Sequence, residues 1–477
     1  MTSNTFSSPL NTFPQTTNFI DSDQPSGLQS IAYKFLWVYT FLLISRASEF
    51  VDSGDNIHLA FITAALAGAG ALITGGFFRA FNNRIGIALG IFTAWLIVEA
   101  PFSTWRGGTF HQLTEGWLKS YSTFLIVVAL MFTMKQVKGM FLAVSLATIV
   151  VVCVSMAQGV ENVQDSRLAT TEGTLANSND LAAALLLGLP FLLQCAADAK
   201  RHKIFRILAG VSVPPLLLVI LRTGSRGALV AIAILIAIYL IRTTLLKRLV
   251  ILLVIAAVGF STPFFISRDV FDRYKTLFLK TTGVHKLNEV EASAIESQAT
   301  REKLIEQAGE LTMKHPFFGV GLGQFAPQAA DLSLSHGEAP VWRTAHSFLV
   351  LVVTETGIPG LIFYCSALVF TWLALMRISR QARKQHNDEI LAMSRTLFYS
   401  FLCFVICATF STNAFTFHVP FLAAMVVGFS RLAKQQLDRP PQVVLTPQTE
   451  SEILFPAQTP QAGSRWAIPA ASSLSAE

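Results

Sequence analysis

Apolar runs of membrane-spanning length recur along most of the chain, and they limit its fold more than any other feature. A transmembrane helix needs about 20 predominantly apolar residues. Of the 477 residues, 52% are hydrophobic and 14% are charged, whereas soluble domains contain about 25% charged residues. A single water-soluble domain is therefore excluded. The apolar runs lie near 31–46, 57–78, 85–101, 117–134, 139–157, 180–197, 204–221, 227–241, 249–266, 346–376, 396–411 and 416–430. The sequence thus predicts an all-α integral membrane protein with about 12 transmembrane helices.

The distribution of Lys and Arg indicates how these helices cross the membrane. If the N-terminus lies in the cytoplasm, about 19 basic residues fall in cytoplasmic loops and the C-terminal tail, against about 6 in the short loops on the other side. Such an excess marks the cytoplasmic side of a membrane protein, so both termini are predicted to be cytoplasmic. The formal net charge of +7 comes from these flanking residues, and it does not indicate nucleic-acid binding.

This topology divides the chain into five segments. Residues 1–30 are rich in Ser, Thr, Asn and Pro, and residues 435–477 are rich in Pro, Gln and Ser. Both are predicted to be disordered cytoplasmic tails. Residues 31–266 hold helices one to nine, and residues 346–434 hold helices ten to twelve. The remaining segment, 267–345, is predicted to be one large outer loop that contains short helices.

An amphipathic helix is predicted inside this loop, between Arg301 and Lys314. Its apolar residues share one helical face, and they are Leu304, Ile305, Ala308 and Leu311. Pro316 follows and cannot continue the helix. The segment is therefore expected to lie against the membrane domain.

Four polar clusters fall on the outer face in this topology. The first comprises Asn177, Asn179 and Asp180, which open the sixth apolar run. Asn is a preferred residue at the start of a helix. These side chains therefore either cap the helix or bind sugar hydroxyls through their amides.

The second cluster is a short turn between the seventh and eighth runs, and it contains Arg222, Ser225 and Arg226. An arginine at the membrane edge either anchors a helix end or serves a ligand. Its planar guanidinium can hold phosphate oxygens through two hydrogen bonds, and it stays charged at any physiological pH. The turn is therefore a candidate anion site.

The third cluster combines Arg301 with the motif HPFFGVGLGQF, in which Gly319, Gly321 and Gly323 alternate. Glycines allow another group to approach the backbone closely. The motif is not a dinucleotide-binding fingerprint, because no strand precedes it and no helix is predicted to follow it. It is either a plain connector or part of a site.

The fourth cluster begins at His346, which opens a long apolar run, and it includes Glu355 about two and a half turns later. The histidine is either structural or a base, since a neutral imidazole can take a proton from a sugar hydroxyl at neutral pH. Glu355 either orients another group or satisfies a helix broken at Gly357 and Pro359. His418, in the last run, is a further candidate for the same site.

These motifs resemble those of the O-antigen ligase and O-antigen polymerase-like membrane proteins. The resemblance rests on the SRGA element that begins at Ser225, on Arg301 leading to HPFFGVGLGQF, and on AHSFLVLVVTETGIPG, and it covers mainly residues 170–376. It implies about twelve membrane helices in a GT-C-like architecture, with the large loop in the periplasm and the protein in the bacterial inner membrane. It also implies glycan transfer from an undecaprenyl-diphosphate carrier.

The resemblance also implies roles for individual residues. By motif, Arg226 and Arg301 resemble ligands of the carrier diphosphate, and His346 resembles the general base. Ser347 departs from the pattern, because many relatives have Asn after the histidine. The expected chemistry agrees, since cleavage of a sugar diphosphate needs charge stabilisation on the leaving phosphate and a base for the incoming hydroxyl. No metal ion and no other cofactor is expected, and direct activation by His346 would invert the anomeric centre.

Two other classes of function remain alternatives. About twelve spans with both termini inside also suit a secondary transporter or lipid flippase, although the outer arginine turn and the histidine favour surface chemistry. An inactive scaffold of a polysaccharide assembly complex is the second alternative. For an enzyme, the expected partners are the lipid-linked donor and the bilayer. The acceptor hydroxyl would belong to the lipid A core, to a growing polysaccharide in an O-antigen or exopolysaccharide polymerase, or to a protein in an O-oligosaccharyltransferase.

Overall fold

The computed structural model describes residues 26–47, 59–161, 167–170, 175–242, 268–275, 289–340 and 342–438, with scattered positions between 244 and 264. In this part of the chain, seven helices are long and apolar enough to cross a membrane. They are Gly27–Ser45, Arg84–Phe102, Met134–Ala157, Ser178–Ala197, Lys203–Arg222, Phe348–Lys384 and Asp388–Ala408. Two shorter apolar helices, Leu59–Ile73 and Arg226–Ile241, coincide with two further predicted runs. The all-α membrane fold is thereby confirmed in outline, and the count of about twelve spans stays a prediction.

The described α-helices are numbered in chain order. They are α1 Gly27–Ser45, α2 Leu59–Ile73, α3 Arg84–Glu99, α4 Arg106–Gln112, α5 Leu118–Leu130, α6 Met134–Gln158, α7 Ser178–Ala197, α8 Lys203–Arg222, α9 Arg226–Arg242, α10 Arg268–Lys275, α11 Glu289–Lys314, α12 Phe325–Ser335, α13 Phe348–Lys384, α14 Asp388–Ala408 and α15 His418–Leu437. Short 3-10 helices cover Gly76–Ala80 and Ala100–Phe102, and a π-helical turn covers Leu113–Trp117. Strands β1 (Val160–Glu161) and β2 (Leu168–Ala169) pair antiparallel. The sequence did not predict this hairpin, because two-residue strands carry no readable periodicity.

Local capping signals set where the first helix begins. The Ser26 hydroxyl accepts a hydrogen bond from the Gln29 N–H at 3.3 Å, and the Gln29 side chain accepts one from the Ser26 N–H at 2.9 Å. This reciprocal capping box starts α1 at Gly27, so the end of the predicted tail 1–30 is helical. The rest of that tail lies outside the described residues, as does most of the predicted tail 435–477, whose first residues continue α15.

Helix α7 carries the first predicted polar cluster, and it is held on several sides. It packs against α6, α8 and α14. A Cβ at Gly188 of α7 would lie 2.0 Å from the Thr148 hydroxyl oxygen of α6, so the glycine permits a close helix crossing. On another side, the Ser400 hydroxyl of α14 donates to the Leu187 carbonyl at 2.7 Å. The middle of α7 is therefore packed closely against two neighbouring helices.

The large outer loop contributes α10, α11 and α12. Helix α11 includes the predicted amphipathic segment and packs against α13, burying Leu304, Ala308 and Leu311. Ile305 is 51% exposed, and its assignment to the buried face was wrong. Successive helical residues are rotated by about 100°, so the face defined by Leu304, Ala308 and Leu311 leaves Ile305 at its margin.

Contacts divide the chain into a unit Met1–Gln436 and a unit Leu437–Glu477, and only the first two residues of the second are described.

Candidate active site

Arg167, just before β2, joins two of the predicted polar clusters. Its Nε donates to the Thr223 carbonyl at 2.8 Å, and its Nη2 donates to the Asn179 side-chain oxygen at 2.8 Å. Thr223 belongs to the turn between α8 and α9, and Asn179 lies in the first turn of α7. One guanidinium thus fixes the start of α7 relative to the turn that precedes Arg226.

The turn itself is shaped by small residues. Gly224 has a φ of 61°, a left-handed conformation that glycine adopts without strain. The Thr223 hydroxyl donates to the Ile220 carbonyl at 2.6 Å and accepts from the Ser225 N–H at 3.3 Å. The Ser225 hydroxyl accepts from the Ala228 N–H at 3.4 Å, so Ser225 caps α9. These contacts give Ser225 a structural role at the place where a substrate contact was predicted.

Arg222 and Arg226 flank this turn. Arg222 ends α8 and Arg226 begins α9, and both are only partly exposed. The Tyr274 hydroxyl of α10 donates to the Leu221 carbonyl at 2.7 Å. The outer loop therefore packs directly on the end of α8, beside the turn that Arg222 and Arg226 flank.

His346 lies two residues before α13 and is partly buried. Its pKa is lowered from the ordinary 6.5 to about 4, first by loss of solvent and then by the positive charges of Arg301, Arg343 and Arg167. Both effects oppose formation of an imidazolium, so the imidazole is neutral at physiological pH. The charges of three guanidinium groups, from three separate segments, thus act on one neutral base. Two of the three predicted catalytic residues, His346 and Arg301, are thus close enough to interact electrostatically, while Arg226 begins α9 three residues after Thr223, to which Arg167 donates.

The glycine motif forms a tight loop against α13. Its glycines at 319, 321 and 323 all have positive φ values, of 72°, 103° and 76°. The Gly321 N–H donates to the Glu355 carbonyl at 2.9 Å, and a Cβ at Gly321 would lie 2.0 Å from the Ser103 hydroxyl oxygen. The close approach predicted for these glycines is therefore made to neighbouring protein segments. A helix, α12, does follow the motif, contrary to the prediction.

Glu355 holds the end of this loop. It is buried, and its carboxylate accepts from the Gly323 N–H at 2.9 Å and from the Phe325 N–H at 3.2 Å. It therefore caps α12 from a neighbouring helix, at a point where Gly357 breaks α13 with a φ of 72°. Of the two roles that the sequence left open for Glu355, these contacts favour satisfaction of the broken backbone.

The asparagine cluster is also tied into the protein. The Asn177 side-chain oxygen accepts from the Asn179 N–H at 2.9 Å and caps α7. The Asp180 carboxylate accepts from the Asn413 side-chain amide at 2.6 Å, which connects α7 to the turn before α15. The capping role predicted as one alternative is thus present, and Asn179 contributes further by positioning Arg167.

His418 lies in a different environment. Its ring stacks on Phe404 and Phe417, with centroid distances of 5.0 and 4.1 Å, and its Nδ1 lies 2.9 Å from the Thr416 hydroxyl. These contacts place it in an aromatic cluster at the start of α15. A role for His418 in the site stays a prediction.

Sequence reasoning missed Arg167 and Arg343 as members of the site. A signal for both was present, because outer segments of a membrane protein are poor in basic residues. Each arginine that is retained there therefore needs an explanation. Arg343 also lies three residues before His346, although its place beside the imidazole depends on the fold.

The geometry defines a helical membrane protein in which the positive charges of three arginines act on one neutral histidine. Residues 211–365, which are 155 of the 477 residues, match the family model described as O-antigen ligase. The matched segment runs from α8 into α13 and contains Arg226, Arg301 and His346. It supports membership of an O-antigen ligase-like family, of the ligase and polymerase type of membrane glycosyltransferases, and the resemblance predicted from the motifs is confirmed. No curated protein matches the chain.

Proposed function

We propose that the chain moves a glycan from an undecaprenyl-diphosphate carrier to an acceptor hydroxyl on the periplasmic face of the bacterial inner membrane. The observation that carries this proposal is the neutral imidazole of His346 beside the guanidinium groups of Arg301, Arg343 and Arg167. The family match over residues 211–365 supports the same class of reaction. The positive-inside pattern supports cytoplasmic termini and a periplasmic site.

The proposed reaction is a single displacement at the anomeric carbon of the donor glycan. The acceptor oxygen forms a bond to this carbon while its proton passes to His346. The bond between the anomeric carbon and the diphosphate oxygen breaks, and its electron pair leaves with undecaprenyl diphosphate. The configuration at the anomeric carbon is inverted, and the imidazolium then gives its proton to water.

Arg226 and Arg301 are proposed to bind the diphosphate. Guanidinium groups form short, charge-assisted hydrogen bonds with phosphate oxygens. Fixed cations at the leaving group stabilise the negative charge that develops there in the transition state. Because arginines supply this neutralisation, the reaction is proposed to proceed without a metal ion.

Donor binding is expected to strengthen the base. In the ligand-free protein, burial and the three neighbouring cations lower the pKa of His346 to about 4. A bound diphosphate brings negative charge among those cations, which favours the imidazolium and raises the pKa. The histidine therefore becomes a better proton acceptor only when the donor is in place.

The test measures release of undecaprenyl diphosphate from a labelled lipid-linked glycan by purified protein in nanodiscs. Wild type is compared with His346→Ala, with EDTA present and with a lipid A core sugar, a polysaccharide or a protein acceptor supplied in turn. The matched control is His336→Ala, because His336 is an exposed residue of the same loop, 3.8 Å from Glu310.

Loss of a positioned base lowers a rate by about 10²- to 10⁴-fold. We expect this loss in His346→Ala and wild-type activity in His336→Ala. If the folded wild-type protein releases nothing with any acceptor, the proposal is wrong. Movement of the intact lipid-linked glycan across a vesicle membrane would then establish the transporter or flippase alternative.

A further inference from the structure

The C-terminal part of α13 carries a continuous stripe of side chains that changes from apolar to cationic along the helix. Beyond the Gly357 kink, residues 358–384 form about 40 Å of helix at 1.5 Å per residue, which exceeds the hydrocarbon thickness of about 30 Å. The apolar part of the stripe contains Ile358, Ile362, Val369 and Leu373, which are 47%, 59%, 52% and 47% exposed. The steps of four, seven and four residues keep these side chains on one helical face. This face is therefore suited to contact with lipid chains.

The same face continues into Arg377, Arg380 and Lys384, which are all exposed. A groove of about 400 Å³ lies here, between Trp372, Leu373 and Met376 on its apolar side and these three cations on the other. Among the described residues, none of the three has a carboxylate within the 4.0 Å of an ion pair. Among the described residues, the groove therefore presents three positive charges that have no ion-pair partner, directly C-terminal to an apolar surface.

An aromatic residue marks the depth of this groove. Trp372 is 37% exposed and packs on Phe398 of α14, with ring centroids 4.8 Å apart. Tryptophan is enriched where the hydrocarbon meets the lipid headgroups. The cations follow Trp372 by about one to three helical turns, so they lie at and beyond the level of the headgroup phosphates.

We infer that this groove binds one anionic phospholipid of the cytoplasmic leaflet. Its phosphate contacts Arg377, Arg380 and Lys384. Its acyl chains lie along the apolar stripe from Leu373 towards Ile358. Charge complementarity and the shared helical face select a lipid, because a soluble anion uses only the cationic half of the stripe. The groove is at the end of α13 remote from His346, so this site is separate from the proposed transfer reaction.

The test is native mass spectrometry of the full-length protein in neutral detergent with added phosphatidylglycerol, and with phosphatidylcholine of the same chain length. The groove variant is Arg377→Gln with Arg380→Gln and Lys384→Gln. The matched control is Arg84→Gln with Lys135→Gln and Lys434→Gln, which removes the same charge from exposed positions outside the groove on the same predicted side.

Each cation near an anionic headgroup strengthens binding by roughly fivefold. We expect wild type to bind phosphatidylglycerol more tightly than phosphatidylcholine, and the groove variant to lose on the order of a hundredfold in that affinity. The control variant is expected to bind like wild type.

Equal binding of the two lipids by wild type overturns the inference. Equal losses in the groove and control variants also overturn it, because they show attraction by net charge alone. If the groove variant elutes as an aggregate, Arg380→Gln replaces it, with an expected loss of roughly fivefold.

Discussion

Arg167 donates a hydrogen bond of 2.8 Å to the main-chain carbonyl of Thr223, and this contact fixes the turn that leads into Arg226. The same guanidinium also donates to Asn179 at 2.8 Å. A planar guanidinium can satisfy two acceptors in fixed directions at once, which an ammonium group cannot do in the same way. This side chain therefore ties the start of α7 to the turn that leads into α9.

Replacement of Arg167 is expected to lower transfer strongly. A hydrogen bond to a charged group contributes about 1.5–3 kcal/mol, so Arg167→Ala should lower kcat/KM by roughly 10- to 100-fold. Arg167→Lys should recover part of this loss, because it restores the charge without the planar fork. Arg106→Ala removes an exposed outer arginine and serves as the control. Wild-type kinetics in Arg167→Ala would show that the turn keeps its place without the bridge.

The pH dependence of the reaction should reveal the coupling of His346 to its neighbours. The neutral imidazole is the active form, and its pKa in the free protein is about 4, so kcat/KM should be flat near neutral pH and fall only as the pH approaches 4. The fall of kcat on the acidic side should lie at higher pH. The pH dependence of kcat reports the donor-bound protein, in which the pKa of His346 is expected to be raised. Arg343→Gln removes one cation and should move the kcat/KM limb upward. A wild-type limb of kcat/KM near pH 6.5 would contradict this account.

Glu355 should be needed for stability before it is needed for chemistry. Glu355→Ala removes the acceptor of the part-buried Gly323 hydrogen bond and leaves the Phe325 N–H buried without its acceptor, and this buried donor alone costs about 1–3 kcal/mol. Glu355→Gln keeps an acceptor oxygen and should cost less. Glu310→Ala removes only a partly exposed partner of Lys314, which should change the unfolding free energy by less than about 1 kcal/mol. Denaturation in detergent measures all three. An inactive Glu355→Ala protein of wild-type stability would instead give Glu355 a direct role in the reaction.

Gly321 should tolerate no side chain. Its φ is 103°, and a Cβ would lie 2.0 Å from the Ser103 hydroxyl oxygen, so Gly321→Ala should destabilise the protein by at least about 2 kcal/mol. Gly309→Ala is a useful contrast, since a Cβ there meets open space within α11. Alanine is favoured over glycine inside a helix by about 1 kcal/mol, and this variant should be slightly more stable. Thermal unfolding of both proteins provides the comparison, and a Gly321→Ala protein as stable as wild type would refute the packing argument.

Chelation should leave transfer intact. If Arg226 and Arg301 neutralise the leaving diphosphate, EDTA has nothing essential to remove. The rate of undecaprenyl diphosphate release is measured before and after extensive dialysis against EDTA. Abolished activity that returns on addition of Mg²⁺ would show that a divalent cation takes part.

The sequence predicts best those features that depend on nearby residues. The apolar runs predict the long helices, Pro316 marks the end of α11, and the break near Glu355 appears at Gly357. The hydrogen bonds that organise the site are different in kind. Arg167 and Thr223 are 56 positions apart, and no local periodicity relates them.

Assigning a polar residue to structure or to substrate also needed the fold. Ser225 and Asn177 have side chains that suit sugar recognition, yet each accepts a hydrogen bond from the backbone of its own helix start. The pairing of Glu355 with the end of the glycine motif spans 32 positions. The sequence therefore indicates which segments carry the candidate residues, while the partners of each residue depend on tertiary packing.

The distances along the chain within this site also have a consequence for biogenesis. A membrane protein is synthesised and inserted from its N-terminus, so Arg167, Asn179 and Thr223 are present in the membrane well before His346 leaves the ribosome. The residues of the Arg167 contacts therefore precede the proposed base during synthesis. In the proposed reaction, the ability to cleave the donor therefore arises only when the start of α13 has been translated.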